Sequence, residues 1–456
     1  MEQNLHVVIL AAGKGTRMRS RLPKVLHELA GKPLVSHVIS TSRQLKAQIH
    51  VVYGHGGDIL PSTLDAPDIS WVEQAEQLGT GHAVDQALPG ISDGTVLVLY
   101  GDVPLTRLST LSALVDRVSG NQDLDLCLLT ARLDDPTGYG RIVRNPAGNV
   151  VGIIEQKDAS DEVLQIKEIN SGILCVDARK LKTWLGKIDS NNSQGEFYLT
   201  DIVSLAVEDG SAVDALVSDA LWEISGVNNK RQLAELERQH QLNIANQLMD
   251  DGVTLMDPCR IDVRGELSAG EDVRIDVNCV FTGQVKLGNN VQVSSGVVIE
   301  NAEIGDNCRI LPNSVLTNCV IGENCNIGPF ARIRPDTILA QNVNVGNFVE
   351  IKKSSIQAGS KINHLSYIGD STIGSRVNIG AGTITCNYDG ANKFQTVIED
   401  DVFVGSDSQI VAPVTIKQGS TIGAGSTITK DTPEDKLTLS RSRQVTINSW
   451  KRPKKS

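Results

Sequence analysis

Apolar residues, nearly all of them aliphatic, recur at every sixth position through most of the second half of this chain. Three unbroken runs begin at Ile275, Ile327 and Ile398. Their anchors are Ile275, Phe281, Leu287, Val293 and Ile299, then Ile327, Ile333, Leu339, Val345 and Ile351, and finally Ile398, Val404, Ile410, Ile416, Ile422 and Ile428. A fixed six-residue period is typical of a parallel β-helix, in which each unit is one short strand and a turn. This one pattern assigns nearly half of the chain to a solenoid.

The solenoid constrains where a binding site can lie. Three six-residue units close one coil of a triangular prism whose anchors point inward, so roughly ten coils are expected. The period breaks between Ile379 and Ile398, where residues 385–394 leave the repeat. An insertion of this kind predicts a loop on one face of the solenoid, which is often its binding face.

The first half of the chain has a different pattern of apolar residues. Apolar runs at residues 6–10, 49–53, 96–100 and 124–130 alternate with segments of helix length. This alternation predicts an α/β, Rossmann-like domain with a mostly parallel sheet. Leucines at helical spacing, followed by Gly252, predict a connecting helix. We therefore expect a first domain at residues 1–230, a helical linker at 231–251, and a β-helix domain with a C-terminal tail at 252–456.

Charge and cysteine content narrow the class of protein. The 456 residues carry a net charge of −11, which argues against non-specific nucleic-acid binding. Free cysteines without a CxxC pair, no signal peptide and no apolar run of membrane-spanning length predict a cytoplasmic protein without membrane insertion. A basic cluster near the C-terminus is either a solvated tail or a contact with a phosphate-bearing ligand or a neighbouring subunit; it comprises Arg441, Arg443, Lys451, Arg452, Lys454 and Lys455.

The ends of two predicted strands hold residues that could bind phosphate or a metal ion. The first strand runs into a loop of small residues, 11–16, whose backbone amides could approach phosphate oxygens, and Lys14, Arg17 and Lys24 would add positive charge. The third strand ends at Asp102, a natural Mg²⁺ ligand beside phosphates. The loop lacks the third glycine of a Rossmann fingerprint, since position 18 is Met, and it is not a Walker A loop. Spacing alone leaves a phosphate loop and a plain strand–turn–helix connection equally open.

The repeat half contains one histidine, His364. Its spacing from the anchor Ile362 directs it inward or to a corner, or out of the prism at a turn, and a lone histidine is more often structural than catalytic. Imidazole is nevertheless the usual group that takes a proton near neutral pH. Within three coils lie polar residues that would suit a sugar phosphate, namely Arg334, Glu350, Lys352, Asn378 and Asn387.

These motifs give the chain a resemblance over essentially its full length to the bacterial bifunctional N-acetylglucosamine-1-phosphate uridyltransferase/glucosamine-1-phosphate acetyltransferase family. The first half matches the family's nucleotidyltransferase motifs at residues 10–17, 23–24, 74–80, 100–102 and 138–140, and at Asn228. The second half matches its acetyltransferase motifs at residues 348–353, 387–390, His364 and Arg441. The resemblance implies a left-handed parallel β-helix of hexapeptide repeats and a homotrimer with acetyl-transfer sites where the prisms meet.

For the first half, the resemblance implies transfer of uridylyl from UTP to N-acetylglucosamine 1-phosphate, with pyrophosphate leaving. Arg17 and Lys24 would stabilise the developing charge, and Asp102 and Asn228 would ligate Mg²⁺. The implied nucleotide-binding residues are Leu10, Ala11, Ala12, Gly13, Lys24, Gln74, Gly79, Thr80, Tyr100, Gly101 and Asp102. The implied sugar-binding residues are Gly140, Glu155, Asn170 and Asn228.

For the second half, the resemblance implies acetylation of glucosamine 1-phosphate by acetyl-CoA, with His364 as general base and Glu350 as its orienting partner. The implied sugar-phosphate residues are Arg334, Lys352, Tyr367 and Asn378, with Asn387 beside them. The implied acetyl-CoA residues are Ala381, Asn387, Tyr388, Ser406, Ala424 and Arg441. The product, UDP-N-acetylglucosamine, would supply peptidoglycan and lipopolysaccharide synthesis.

Two other functions compete with this one. The first is a single-activity nucleotidyltransferase whose β-helix serves only assembly, which would not need His364 or the inserted loop. The second is a binding module without activity, which would not need Lys24 and Asp102 at strand ends.

Overall fold

The computed structural model describes residues 4–13, 15–54, 58–121 and 123–453. Three lysines that were predicted to contribute positive charge lie outside these residues, namely Lys14 in the glycine loop and Lys454 and Lys455 in the tail. The chain divides into two compact units, residues 1–240 and 241–456. Among the described residues, no helix has the length and apolar character that crossing a bilayer would require.

The first unit is built on one twisted sheet. Its strands lie in the order β11-β7-β10-β6-β1-β4-β5, with β8 and β9 attached at β10. The strands are β1 (Leu5–Leu10), β4 (Gln48–Tyr53), β5 (Ile69–Glu73), β6 (Thr95–Tyr100), β7 (Leu124–Arg132), β8 (Arg141–Arg144), β9 (Val150–Ile154), β10 (Glu168–Asp177) and β11 (Ala212–Ser218), while β2 (Glu28–Leu29) and β3 (Lys32–Pro33) form a separate hairpin. The central strands β6, β1, β4 and β5 are parallel, and β10 runs antiparallel to β6 and β7.

Helices cover both faces of this sheet. They are α1 (Leu34–Gln44), α2 (Ile59–Leu64), α3 (Thr80–Ala87), α4 (Leu108–Ser119), α5 (Asp161–Leu164), α6 (Ala178–Leu185) and α7 (Ile202–Glu208), with 3-10 turns at Thr16–Met18, Lys24–Leu26, Leu88–Gly90, Leu199–Asp201 and Leu221–Ile224. Because both sheet faces are buried, the central strands are continuous apolar runs, and every residue of β1 is buried. Parallel β1 and β6 therefore direct the segments that follow them to one edge of the sheet.

The predicted connecting helix is α8 (Lys230–Asp250), and its two ends belong to different units. In the first unit, Leu236 packs in a small apolar cluster with Met18 and Leu29, and Glu237 accepts a hydrogen bond from the backbone of Ala30 at 2.7 Å. In the second unit, the last turns of α8 pack on the β-helix core, with Ala245 fully buried. Each part of the helix is therefore integral to the packing of the unit to which it belongs.

The second unit is a parallel β-helix. One row of stacked strands comprises Thr254–Leu255, Arg274–Ile275, Gln292–Val293, Arg309–Ile310, Asn326–Ile327, Asn344–Asn347, Lys361–His364, Asn378–Ile379, Phe403–Val404, Thr421–Ile422 and Leu437–Thr438. The other rows comprise Ile261–Ala269, Cys279–Leu287, Val298–Ile304, Val315–Ile321, Arg332–Ile333, Thr337–Leu339, Glu350–Lys352, Ser355–Ile356, Tyr367–Gly369, Ser371–Ile373, Ile384–Cys386, Thr396–Ile398, Gln409–Val411, Val414–Ile416 and Thr427–Ile428. A 3-10 turn, Pro258–Arg260, precedes the first long strand.

The six-residue anchors form the core of this β-helix. They stack in register, as where Ile275 pairs with Val293 and Val293 with Ile310, and every anchor named from the sequence is at most 3 % exposed. After Ile379 the next anchor in its row is Val404, and the intervening chain includes the predicted loop, where Tyr388 and Lys393 form an isolated bridge. The predicted order of an α/β domain and a parallel β-helix is confirmed.

Each corner of the prism has a repeated positive-φ backbone conformation, and we call the corner that follows the first row of strands the left-handed corner. At equivalent positions on successive coils the chain has positive φ, a region that suits Gly, Asn and Asp. These residues are Asn278, Gly296, Asn313, Phe330, Phe348, Leu365, Gly382, Asp407 and Gly425. In the middle coils Phe330, Phe348 and Leu365 take this conformation although large side chains disfavour it. They are 48–63 % exposed, and the two phenylalanine rings stack at 5.2 Å.

Candidate active sites

A cavity of about 500 Å³ lies at the carboxyl ends of β1 and β6. Of the residues expected to bind nucleotide, the structure brings together Leu10, Ala11, Ala12, Gly13, Lys24, Gln74, Gly79, Thr80, Tyr100 and Asp102 around it. Gly101 follows Tyr100 beneath the cavity, and its backbone N–H donates to the carbonyl of Leu10 at 2.9 Å. Residues drawn from separate stretches of the sequence therefore line one pocket.

The loop after β1 needs small residues for two physical reasons. Gly13 is exposed beside the cavity, with open space where a side chain would stand, so the backbone is accessible to a ligand. Gly15 has φ +58°, and a Cβ there would come within 2.7 Å of the Lys24 side chain. A larger residue at position 15 would displace the lysine that the sequence marks as functional.

Lys24 stands at the centre of a polar network. Its ammonium forms an ion pair with Asp102 Oδ2 and lies 3.2 Å from Asn228 Oδ1, which also accepts a hydrogen bond from Arg17 at 2.9 Å. The backbone N–H of Val227 donates to the carbonyl of Asp102 at 2.9 Å. The two expected metal ligands are thus adjacent in space although far apart in sequence.

The donor set fits a small divalent cation. Asp102 and Asn228 offer hard oxygen atoms, the ligand type that Mg²⁺ prefers, and both already converge on one positive charge, the Lys24 ammonium. Among the described residues, no group of three or more His, Cys, Asp or Glu side chains is placed to hold a metal ion. Two protein oxygens are what Mg²⁺ needs when substrate phosphates and water complete its shell.

The amide of Gln74 has a fixed orientation. Its Nε2 lies 3.1 Å from the carbonyl of Gly79, which can only accept, so Nε2 must be the donor. The same nitrogen lies 3.1 Å from Nδ1 of His82, and Gln86 contacts the other ring nitrogen at 3.2 Å. With Gln74 only 2 % exposed, this arrangement leaves the amide oxygen for a ligand in the cavity.

Three of the four expected sugar-binding residues form a second group beside Tyr100. The backbone N–H of Asn170 donates to the carbonyl of Gly140 at 2.9 Å, and a Cβ on Gly140 would meet the carboxylate of Glu155 at 3.3 Å. Burial raises the pKa of Glu155, and burial together with the carboxylates of Asp102 and Glu155 raises the pKa of Tyr100. Asn228, the fourth, lies in the Lys24 network instead.

In the β-helix, His364 projects outward at the residue just before the left-handed corner. It is exposed, so of the orientations that spacing left open the structure has the outward one. Its Nδ1 lies 3.0 Å from Oδ1 of Asn347, one coil below. An amide oxygen only accepts, so Nδ1 carries the proton and Nε2 keeps its lone pair. Glu350, the expected orienting partner of His364, pairs with Arg334 at 2.6 Å in this chain, so its orienting role stays a prediction.

The equivalent positions on the following coils are occupied by small residues. The carbonyl of His364 accepts from Gly382, that of Ala381 from Asp407, and that of Ser406 from Gly425, so His364, Ala381, Ser406 and Ala424 form one row, which we call the small-residue row. Three coil steps of about 4.8 Å give it a length of roughly 14 Å. Arg441 donates to the carbonyl of Ala424 at 2.9 Å and places a guanidinium at the far end.

Arg334, Lys352 and Tyr367 lie on the face that follows the left-handed corner. A Cβ on Gly369 would come within 3 Å of both the Tyr367 hydroxyl and the Asn387 amide, so this glycine opens a polar recess. Asn387 is buried and donates to Asp370. Asn378 lies in the row of strands before the corner, on another face, and is therefore not brought together with Arg334 and Lys352 in one chain. Tyr388 is exposed in the loop.

Sequence reasoning missed several residues at these sites. Gln77 and Glu196 line the nucleotide cavity, Asn347 holds His364, and Lys393 lies in the inserted loop beside Lys352, whose positive charge lowers the pKa of the Lys393 ammonium. Gln77 could have been found, because it lies inside the motif at residues 74–80. Glu196 and Lys393 had no signal in spacing or periodicity.

These two units define a bifunctional transferase, with a nucleotidyltransferase domain followed by a transferase of the hexapeptide-repeat class. Family models agree with this division: a MobA-like NTP transferase domain matches residues 7–147, a GMPPB C-terminal domain matches residues 263–347, and bacterial transferase hexapeptide repeats match residues 395–430.

Curated relatives cover nearly the whole chain. The bifunctional protein GlmU of Azoarcus sp. (strain BH72) is 57 % identical over 99 % of this chain and 100 % of its own length. Those of Dechloromonas aromatica (strain RCB) and Ralstonia pickettii (strain 12J) are 58 % and 57 % identical over 99 % of both chains. The chain therefore belongs to the GlmU family. The predicted assignment to the bifunctional enzymes of UDP-N-acetylglucosamine synthesis is confirmed.

Proposed function

We propose that the two sites catalyse successive steps, acetyl transfer on the β-helix and uridylyl transfer at the sheet cavity. The observation that carries this proposal is the pairing of a nucleotide-sized cavity holding Lys24 and Asp102 with a separate, outward-facing His364 at the end of the small-residue row. A β-helix that served only assembly would need neither His364 nor the small-residue row. Cytoplasmic location, with no nucleic-acid partner, is part of the same proposal.

At the cavity, the fixed orientation of Gln74 supports recognition of uracil. Its amide oxygen is an acceptor, and uracil offers a donor at N3–H where cytosine has only a lone pair. The backbone of residues 10–13 borders the triphosphate, and Gly140, Glu155 and Asn170 hold the N-acetylglucosamine 1-phosphate. An oxygen of the sugar phosphate attacks the α-phosphorus of UTP while the bond to the β-phosphate oxygen breaks, and pyrophosphate leaves with the bonding electrons.

Positive charge around the cavity stabilises this transition state. Arg17 and Lys24 already contact Asn228 and Asp102, so they stand where charge on the phosphoryl oxygens develops. Asp102 and Asn228 would hold Mg²⁺, which would supply further charge neutralisation at the phosphates. Lys24 then exchanges part of its contact with Asp102 for contact with the nucleotide.

On the β-helix, His364 acts as general base for acetyl transfer. The amine of glucosamine 1-phosphate must lose a proton to attack the thioester carbonyl, and Nε2 of His364 accepts it while Asn347 holds Nδ1–H. The new C–N bond forms as the C–S bond breaks, and the thiolate of CoA leaves. Arg334, Lys352 and Lys393 supply positive charge for the sugar phosphate. The small-residue row leaves room for the pantetheine arm, and Arg441 lies where its phosphates would end.

A second copy of the chain completes this site in the proposal. Asn378 and the positively charged recess lie on different faces of one prism, on either side of His364. The exposed ladder of Phe330, Phe348 and Leu365 runs beside His364 and suits burial against another prism. Together these features support a homotrimer that meets along the left-handed corner.

The test is an incubation of the protein with glucosamine 1-phosphate, acetyl-CoA, UTP and Mg²⁺, followed by mass analysis. We expect UDP-N-acetylglucosamine, pyrophosphate and CoA. His364→Ala should lower acetyl transfer by about 10²-fold or more, and uridylyl transfer from supplied N-acetylglucosamine 1-phosphate should persist. Near-normal acetyl transfer by this variant would favour the single-activity alternative, in which the β-helix serves assembly.

A further inference from the structure

A buried carboxylate lies outside the nucleotide cavity, at the point where two functional segments meet. Glu223 is fully buried in the 3-10 turn that precedes Asn228. Its Oε1 accepts a hydrogen bond from Arg107 Nε at 2.5 Å, and its Oε2 accepts from Thr110 Oγ1 at 2.6 Å and from the backbone N–H of Arg107 at 3.3 Å. Its backbone carbonyl accepts from Thr106 Oγ1 at 2.7 Å. All four bonds tie this turn to the segment that follows Asp102.

The two segments that Glu223 joins carry the two expected metal ligands. Asp102 begins the segment that leads into α4, and Asn228 ends the segment that contains Glu223. The segments touch again at the site, where Val227 N–H donates to the carbonyl of Asp102 at 2.9 Å and a Cβ on Gly226 would lie 3.5 Å from Asp102 Oδ2. The distance between the two ligands is therefore set by a few contacts: the Lys24 ammonium bridges the two ligand side chains, and Glu223 makes charged contacts that join the two segments themselves.

The ion pair of Glu223 with Arg107 is only half-buried, because the carboxylate is fully buried while the Arg107 side chain is 53 % exposed. Removing a carboxylate from water costs several kcal/mol, and it is compensated only where good hydrogen bonds replace the water. An apolar contact would hold the segments at lower cost but with less directional control, whereas Arg107 and Thr110 fix the carboxylate from several sides. Groups that orient metal ligands in this way typically change metal affinity by about 10–100-fold when they are altered.

We propose that Glu223 is a positioning residue that holds Asp102 and Asn228 at the spacing a divalent cation requires. This inference rests on the proposed magnesium-dependent uridylyl transfer. Its consequence is that the loss of the Glu223 carboxylate weakens the coupling between Mg²⁺ and nucleotide, while the β-helix site in the same chain is untouched.

The experiment measures coupling rather than turnover. UTP is titrated calorimetrically into the full-length protein, once with excess Mg²⁺ and once with EDTA, and the ratio of the two dissociation constants gives the gain in affinity that Mg²⁺ provides. Glu223→Gln should lower this gain about tenfold. Acetyl transfer should be unchanged, and uridylyl transfer should recover at high Mg²⁺.

The chain offers a matched control. Glu168 is a second buried carboxylate held by the same donor types, Arg144 Nε at 2.9 Å and Thr130 Oγ1 at 3.0 Å, but it contacts neither Asp102 nor Asn228. Glu168→Gln should keep the Mg²⁺-dependent gain. An equal loss in both variants would assign the effect to general loosening of the fold and overturn the proposal, as would a full gain in Glu223→Gln.

Two further variants keep the outcomes distinguishable. Asp102→Asn should abolish the gain, and if it does not, the metal site of the proposed function is itself wrong. If Asp102→Asn behaves as expected and Glu223→Gln does not, only the positioning role fails. Should Glu223→Gln not fold, Thr110→Val removes one donor to the carboxylate and leaves Arg107 in place. It should reduce the gain about threefold, in line with partial loss of orientation, and an unchanged gain would overturn the proposal.

Discussion

The place where the first unit ends can be tested by cutting α8. A fragment of residues 1–230 lacks Leu236, which is 5 % exposed in the cluster of Met18, Leu29, Leu34, Leu105 and Val227. It also lacks Glu237, whose carboxylate accepts the hydrogen bond from Ala30. Burying a leucine side chain contributes about 1.5–3 kcal/mol, and a hydrogen bond to a charged group about 1.5–3 kcal/mol. The fragment of residues 1–230 should therefore be about 4 kcal/mol less stable than one of residues 1–240, a large share of a typical 5–15 kcal/mol.

The assay is urea unfolding of both fragments, followed by circular dichroism, together with their uridylyl-transfer rates. Both should have the sheet and the cavity, but the shorter fragment should unfold at lower urea. Because Met18 adjoins Arg17, we also expect the shorter fragment to be less active at temperatures where it is still folded. The matched variant is Leu236→Ala in the longer fragment, which should lose about 2–5 kcal/mol. Equal unfolding midpoints for the two fragments would refute the reasoning and place the boundary at 230.

Three further predictions follow from local geometry. Burial and the neighbouring His37 lower the pKa of His240 from 6.5 to about 4, so its contribution to stability is present above pH 6.5 and is lost as the pH falls toward 4. At about pH 5.5 the loss should be about 1.4 kcal/mol, and His240→Gln should abolish that part of the pH dependence in urea unfolding. Asn347→Ala should lower the rate of acetyl transfer about tenfold by releasing His364 Nδ1, a loss of about 1.4 kcal/mol; an unchanged rate would contradict the orienting role. Phe348→Asn should relieve the positive-φ strain and shift the proposed homotrimer toward monomer in sedimentation; a variant that sediments as the unchanged protein does would contradict the proposed contact along the left-handed corner.

The sequence predicted what depends on period and on strand ends. The six-residue spacing located the inward anchors from Ile275 to Ile428 because only one side of each short strand is buried. It also located the inserted loop, because the period stops there. Lys24 and Asp102 were found because parallel strands bring their carboxyl ends to one edge. In each case a local pattern and a general packing rule were sufficient.

What the sequence could not predict depends on exact register. Coils differ by a residue in length, so the neighbour of His364 could not be read from spacing, and Asn347 rather than Glu350 contacts its ring. The outward direction of His364 depends on the positive-φ conformation of the corner. Large residues such as Phe348 give no sequence signal for this conformation. Glu223 carries no motif at all, because its role comes from tertiary contacts with a segment more than one hundred residues earlier.

The small-residue row also sets a fixed distance between His364 and Arg441. Each coil adds one fixed increment, so the span from the imidazole to the guanidinium of Arg441 can change only in steps of about 4.8 Å. Under the proposed function, a relative that gained or lost a coil between them would select a carrier thiol of a different length, without any change in the residues at either end. In a solenoid, the length of substrate that a site accepts can thus change with the number of repeats, without any change in the shape of a pocket.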